Sequence, residues 1–223
     1  MKTKNLLIAF FSVAMLCFFV VQYLTDQYTK SITVNNGGGS GTFTDPRDGQ
    51  TYNTIEIGSQ TWFAENLNYE TTNSWWWWYD NSSANGDIYG RLYTWDAALT
   101  ACPSGWHLPS DDEWKTLEMQ LGMSQSQANA TGWRGTDEGE KMKSTSGWYN
   151  NGNGTNSSGF SALPGGYRNY NGHFSFVEKR AHFWSSTEHG ADAWYRYLSY
   201  YYVGVYRRYS SQGYGFSVRC VKD

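Results

Sequence analysis

The most constraining feature of this chain is a pair of cysteines that would return its last strand to its first half. The chain has three cysteines in 223 residues. Cys17 lies inside an apolar run, Leu6–Leu24, and reads as a small apolar residue, which leaves Cys102 and Cys220. Met1–Asn5 carries Lys2 and Lys4, and Leu6–Leu24 is uncharged, interrupted only by Ser12 and Gln22. Such a run matches the ~20 residues that cross a bilayer. The basic flank stays inside, so the remainder is exported. Val20, Val21, Gln22 and Tyr23 form a poor cleavage site, which wants small residues, and Leu16 before Cys17 does not suit a lipoprotein signal. The expectation is an uncleaved signal anchor over 6–24 after a cytoplasmic stub of 1–5, with a cleaved signal peptide as the alternative. An even cysteine pair in an oxidising compartment predicts one disulfide. In the chain-entropy model a loop of this length contributes roughly 4–5 kcal/mol.

Residues 25–41 end in a Gly/Ser-rich linker, SITVNNGGGSG, which favours a flexible coil. The folded domain is expected over 42–223. Thr51–Ile57 and Gln60–Phe63, joined by a Gly58-Ser59 turn, predict a β-hairpin that sends Trp62 and Phe63 inward. Tyr93–Thr100 reads as a short helix. Ser110-Asp111-Asp112-Glu113 matches a capping box and opens a second helix, to about Leu121, with Trp114, Leu117 and Leu121 on one face. Asp111 and Glu113 are read as capping charges that suit the helix dipole. Residues 122–159 read as long loops around short strands, anchored by Trp133 and Trp148. Phe160–Tyr167, Phe183–Thr187, Trp194–Tyr200 and Phe216–Val221 are the closing strands. The order is α+β, with two short helices, antiparallel strands and no βαβ alternation.

The net charge of −3 and the scattered Lys and Arg do not make the basic face that nucleic acid requires. The chain shows no phosphate loop and no nucleophile-elbow or zinc-protease motif. His107, His173, His182 and His189 show no metal spacing. Asp80–Asp87 lacks the alternating acids and terminal Glu of a calcium loop. The expectation is no enzyme, no cofactor and no metal.

Two aromatic segments read as contact surfaces. Trp75–Tyr79 is WWWWY, and a strand sends alternate members to opposite faces, so at least two are expected exposed; Trp75, Trp76 and Trp77 are candidate contacts. Trp194–Tyr214 is WYRYLSYYYVGVYRRYSSQGY, an alphabet of Tyr, Ser, Arg and Gly like that of antibody loops. In a strand, Tyr195, Tyr197, Ser199 and Tyr201 share one face, and Trp194, Arg196, Leu198, Tyr200 and Tyr202 the other. The second face is expected to turn inward at its start. Tyr206, Tyr209, Ser210, Ser211 and Tyr214 are placed in a following loop or hairpin, exposed. Arg207 and Arg208 supply planar cations for rings or carboxylates. The ligand-binding set is therefore Tyr195, Tyr197, Ser199, Tyr201, Tyr202, Tyr206, Arg208, Tyr209, Ser210, Ser211 and Tyr214, with the three Trp. No Asn occurs after Asn171, although Asn is abundant before it.

Four motifs carry a resemblance. Tyr89–Trp95 (YGRLYTW), Ala101–Pro109 (ACPSGWHLP), Gly159–Gly166 (GFSALPGG) and Phe216–Val221 (FSVRCV) resemble, in order, the Fibrobacter succinogenes major paralogous domain. The resemblance implies a C-type-lectin-like fold related to the formylglycine-generating enzyme type, export from a bacterium to the periplasm or cell surface, and no established catalysis. The family often has a further Cys pair near the positions of Trp78 and Gly86; both Cys are absent here. Lectin calcium and sugar motifs are missing. Domains of this fold also serve as variable proteins of diversity-generating retroelements, which convert Asn codons to Tyr, Ser and others. An Asn-free, Tyr/Ser-rich tail fits that conversion, as does ordinary divergence. The expected function is non-catalytic recognition or adhesion of a protein or glycan at a cell surface, by a domain held to the membrane. A polysaccharide-binding accessory and a structural surface or filament subunit are the alternatives.

Overall fold

The computed structural model describes residues 39–72 and 75–223. The expected membrane segment 6–24 lies outside the described residues, as does the linker up to residue 38. No helix among the described residues is long and apolar enough to cross a membrane.

Fourteen strands run through the described chain. The first seven are β1 (Ser40–Thr44), β2 (Thr51–Ile57), β3 (Gln60–Phe63), β4 (Trp76–Trp77), β5 (Leu92–Tyr93), β6 (Trp106–His107) and β7 (Gly132–Arg134). The rest are β8 (Gly165–Arg168), β9 (Phe174–Val177), β10 (Arg180–His189), β11 (Asp192–Ser199), β12 (Val205–Ser211), β13 (Phe216–Ser217) and β14 (Val221–Lys222). The α-helices are α1 (Ser83–Tyr89), α2 (Trp95–Ala98), α3 (Asp111–Gln120), α4 (Gln125–Asn129) and α5 (Glu138–Met142). The class is α+β, mostly sheet with short helices.

The 51–63 hairpin forms at the expected bounds, in the register Ile57↔Gln60 to Thr54↔Phe63. β1 pairs along β2 from Ser40, so the fold opens two residues before the expected boundary. β14 then inserts between β3 and β6 to complete a five-stranded sheet. The Cys102–Cys220 disulfide is present and spans 118 positions. It locks this return of the C-terminus onto the first half.

The second sheet has nine strands and runs β4-β5-β13-β10-β11-β12-β7, with β8 and β9 branching from β10. Its centre is the antiparallel run β10-β11-β12. Successive strand residues point to opposite faces. Phe183 and Trp184 of β10 therefore enter different aromatic clusters, as do Trp62 and Phe63 of β3. Trp114 and Phe160 join Trp62 and Phe183; Tyr52, Trp95 and Phe216 join Phe63 and Trp184.

The helix expected from 111 forms with its capping box intact, and the helix expected from Tyr93 is shorter, beginning after the Thr94 cap. α4 and α5 lie in the stretch read as long loops, and α1 is a helix that was not expected. Phe160–Tyr167 is a strand only from Gly165, because Phe160 and Ser161 turn to present carbonyls to buried Arg219. The Arg219 guanidinium donates to Phe63 O, Phe160 O, Ser161 O and Asn66 Oδ1 at 2.6–3.0 Å. Burial, against the pull of the Glu65 charge, brings it down to about 9. The GFSALPGG and FSVRCV motifs thus meet at one cation.

Candidate ligand-binding face

The tail is one antiparallel hairpin, β11 and β12, with a five-residue connection from Tyr200 to Gly204. Its register, Tyr195↔Arg208, Arg196↔Arg207 and Tyr197↔Tyr206, sorts the segment into two faces.

The inner face is held by charge. Arg196 Nη1 meets Asp111 Oδ1 at 2.7 Å and Arg196 Nε meets Glu118 Oε1 at 2.7 Å. Arg207 is bidentate on Asp111, with Nε–Oδ1 at 2.8 Å and Nη2–Oδ2 at 2.7 Å. Arg134 of β7 grips Glu118 at 2.6 and 2.7 Å, and Lys115 adds a contact to Asp111 at 2.9 Å. Burial alone would raise the Asp111 carboxyl, but hydrogen bonds from Arg207, Lys115 and Arg196 and the Arg196 charge hold it far below the usual range. Asp111 is thus the hub of a buried ion network and more than a capping charge. Glu113 keeps the expected capping role and also meets His107 at 2.8 Å. Leu198 and Val205 complete this buried face.

The outer face is aromatic. Its alternate positions Tyr195, Tyr197, Tyr206, Arg208 and Ser210 face the same side as Arg180, His182 and Trp184 of β10. The rings of Tyr195, Tyr197 and Phe216 lie within 29° of parallel to the His182 imidazole, at 4.9–5.9 Å. Beside this floor is a cleft of about 170 Å³, lined by Tyr167, Arg180, His182, Tyr195, Tyr197, Ser210, Tyr214 and Phe216. Burial raises the Tyr197 hydroxyl to about 12 and pushes Tyr195 up further, so both stay protonated donors. Burial, aided by the Arg180 charge, pulls His182 down to about 3, so its ring is neutral.

At the hairpin end, Tyr201 and Tyr202 are exposed, and Tyr202 stacks on Trp133 at 4.0 Å. Lys143 fixes this turn: its buried ammonium donates to Ser199 O and Tyr202 O at 3.2 Å.

Of the expected contact residues, Arg208 and the half-buried Tyr195, Tyr197, Tyr206, Ser210 and Tyr214 come together at or beside the cleft, with Tyr201 and Tyr202 at its end. Three placements are corrected. Ser199 is fully buried, because Lys143 pulls the end of β11 inward. Tyr206–Ser211 is a strand, and Tyr206, Ser210 and Tyr214 are half-buried. Tyr209 lies opposite Trp194 on the reverse face and stacks on His189 at 3.9 Å; Ser211 is exposed at the strand end.

The Trp run sits at the other edge of the same sheet. Trp75 is 58% exposed, while Trp76, Trp77 and Trp78 are half-buried, which leaves one exposed Trp instead of two. Arg91 lies over Trp76 at 4.0 Å and Arg168 over Trp77 at 3.8 Å. Trp78 closes directly on Gly86, where a Cβ would stand 2.2 Å from its Cδ1. Among the described residues no group of three or more His, Cys, Asp or Glu could hold a metal.

Four members of the cleft, Arg180, His182, Tyr167 and Phe216, were not singled out in the sequence. Period-2 spacing of Arg180, His182 and Trp184 was the signal that could have placed them on one face.

The Fibrobacter succinogenes major domain model matches residues 55–222. The chain belongs to that family. No curated protein and no solved structure matches it.

Proposed function

We propose that this member of the Fibrobacter succinogenes major domain family is a non-catalytic, exported recognition protein. Its outer tail face carries the contacts, on a C-type-lectin-like scaffold. The observation that carries the reading is the division of one hairpin. Arg196, Leu198, Val205 and Arg207 are spent on the buried interior, while Tyr197, Tyr206, Arg208, Tyr201 and Tyr202 gather outside it. Aromatic and Arg side chains at such density, on rigid strands, supply anchor contacts at low entropic cost. The ligand is a protein or glycan met at a cell surface, the anchor is the apolar segment 6–24, and nucleic acid is not a partner. The tail is one member of a retroelement-diversified set in this reading, since the outward positions are free to change while the ionic inner face is not. Trp75 favours the second reading, a polysaccharide-binding accessory, because it is an exposed ring at the edge of the same sheet.

The test compares the exported domain with a Tyr201→Ser/Tyr202→Ser/Arg208→Ser variant on intact bacterial cells and on glycan and protein arrays. Ile88→Ser/Leu99→Ser, also exposed, is the control. Binding should fall at least about tenfold in the first variant and stay unchanged in the control. Equal binding by all three would remove the proposal.

A further inference from the structure

The first demand of the cleft on the outer face is for hydroxyl partners. Tyr195, Tyr197, Tyr214 and Ser210 line it and carry hydroxyls. His182, 4% exposed with its Nδ1 buried, is closed off beneath these rings and serves as packing.

The second demand is for negative charge. The Arg180 side chain lines the cleft and makes no ion pair or hydrogen bond among the described residues; its guanidinium rests only over Phe176 at 3.9 Å and Tyr197 at 5.3 Å. Arg208 stands across the strand from Tyr195 and reaches only the Tyr206 hydroxyl, at 3.4 Å. In contrast, Arg134, Arg196 and Arg207 on the inner face all meet carboxylates. In a chain of net charge −3, two arginines without acids on one face are a local excess that suits an anion. Guanidinium forks bind carboxylates in two-point contacts.

The third constraint is size and shape. A cleft of about 170 Å³ is below the usual range for drug-sized ligands, about 300–1,000 Å³, and fits a single ring. Its walls are flat Tyr faces with hydroxyl tips, and Ser210 adds another hydroxyl.

We infer that the cleft binds one carboxylated sugar residue of an acidic polysaccharide, with its carboxylate on Arg180, its ring against Tyr195 and Tyr197, and its hydroxyls on Ser210 and the Tyr hydroxyls. An ionised Asp or Glu side chain satisfies Arg180 but brings no ring and no hydroxyls. A Tyr or Ser side chain has the hydroxyl but no charge. A uronate supplies both within one ring. This rests on the outer face being the recognition surface, and it names the ligand class of that surface.

The experiment measures binding of the exported domain, by calorimetry, to oligomers of galacturonate, glucuronate and mannuronate. Each is paired with its methyl ester, which keeps the hydroxyls and removes the charge. At least one acid oligomer should bind, and its ester should bind about tenfold weaker or worse. Arg180→Gln should produce a similar loss. Ser210→Ala removes one hydroxyl partner and should weaken binding by a smaller factor, about three- to tenfold, with the far-ultraviolet circular dichroism unchanged. If no acid oligomer binds, or acid and ester bind alike, or Arg180→Gln is neutral, the inference is overturned. Binding of another ligand that Tyr201→Ser/Tyr202→Ser/Arg208→Ser abolishes and Arg180→Gln leaves intact would reject the uronate while keeping the recognition surface.

Discussion

Asp111→Asn is the sharpest perturbation of the inner face. Two carboxylates, Asp111 and Glu118, face Arg134, Arg196, Arg207 and Lys115, so the cluster already holds more positive than negative charge. Removing one of the two anions leaves Arg207 with only the Asn129 and Ala130 carbonyls, at 3.1 and 3.3 Å, and the Trp194 face. Arg196 keeps Glu118. Breaking a buried ion pair from one side costs about 3–5 kcal/mol, because the remaining charge stays desolvated. The Asn amide retains one acceptor, which favours the lower end, but Arg207 gripped both oxygens. At about 2–4 °C per kcal/mol for a domain of this size, the melting temperature should drop by roughly 6–20 °C. Urea denaturation gives the free energy directly. Glu113→Gln, two residues along the chain from Asp111 and part of a half-buried cap, should lose about 1 kcal/mol or less. Adding Arg207→Met to Asp111→Asn should recover more than about 1 kcal/mol, since it removes the stranded charge. If Asp111→Asn costs no more than Glu113→Gln, Asp111 is only a cap and the ionic mounting of the hairpin is wrong.

Three further outcomes follow from the same structure. The Cys102→Ala/Cys220→Ala variant should lose about 5 kcal/mol by the chain-entropy relation, given the 118-position loop, measured by urea denaturation with and without reductant. Gly86→Ala should cost about 1–3 kcal/mol by overpacking, because Trp78 is held in place by Asn68 and Arg91; a melt shift near zero would mean that the ring simply swings out. His182 has a folded value of about 3 against about 6.5 unfolded, so the unfolded chain binds the extra proton in between. Stability should therefore fall with falling pH across that window, by about 1.4 kcal/mol per unit. Asp111, whose value is lowered, adds acid loss only below about 4. His107, raised by Asp223 and Glu113 against its burial, acts with the opposite sign and is present in both proteins. His182→Phe should thus be flatter than wild type between pH 4.5 and 6.5, and parallel curves would contradict a buried neutral imidazole.

Local chemistry made part of this fold legible. The 51–63 hairpin announces itself by alternation and a Gly turn, α3 by a capping box whose two halves are three residues apart, and the disulfide by the two cysteines left outside the apolar run. What stayed hidden depends on partners far along the chain. Asp111 looks like any first-turn acid until Arg196 and Arg207, 85 and 96 positions away, close on it. β12 reads as loop because its inward position is an arginine, so no apolar alternation appears. Ser199 follows the outward parity of Tyr195 and Tyr197, and only the Lys143 clamp draws it in. The candidate face was visible as composition, Tyr with Arg and Ser. Its cleft was not, because His182 becomes informative only when Tyr195, Tyr197 and Phe216 sandwich it.

The most direct test of the central claim, that this hairpin is divided into a recognition face and a mounting face, is a saturation scan of residues 192–214 in the displayed domain, scored by resistance to protease. Substitutions at Arg196, Leu198, Ser199, Val205 and Arg207 should abolish resistance, whereas Tyr201, Tyr202 and Arg208 should accept most residues with stability changes within about 0.5 kcal/mol. If the outward tyrosines prove as intolerant as the buried arginines, they are held there for folding and the division is refuted.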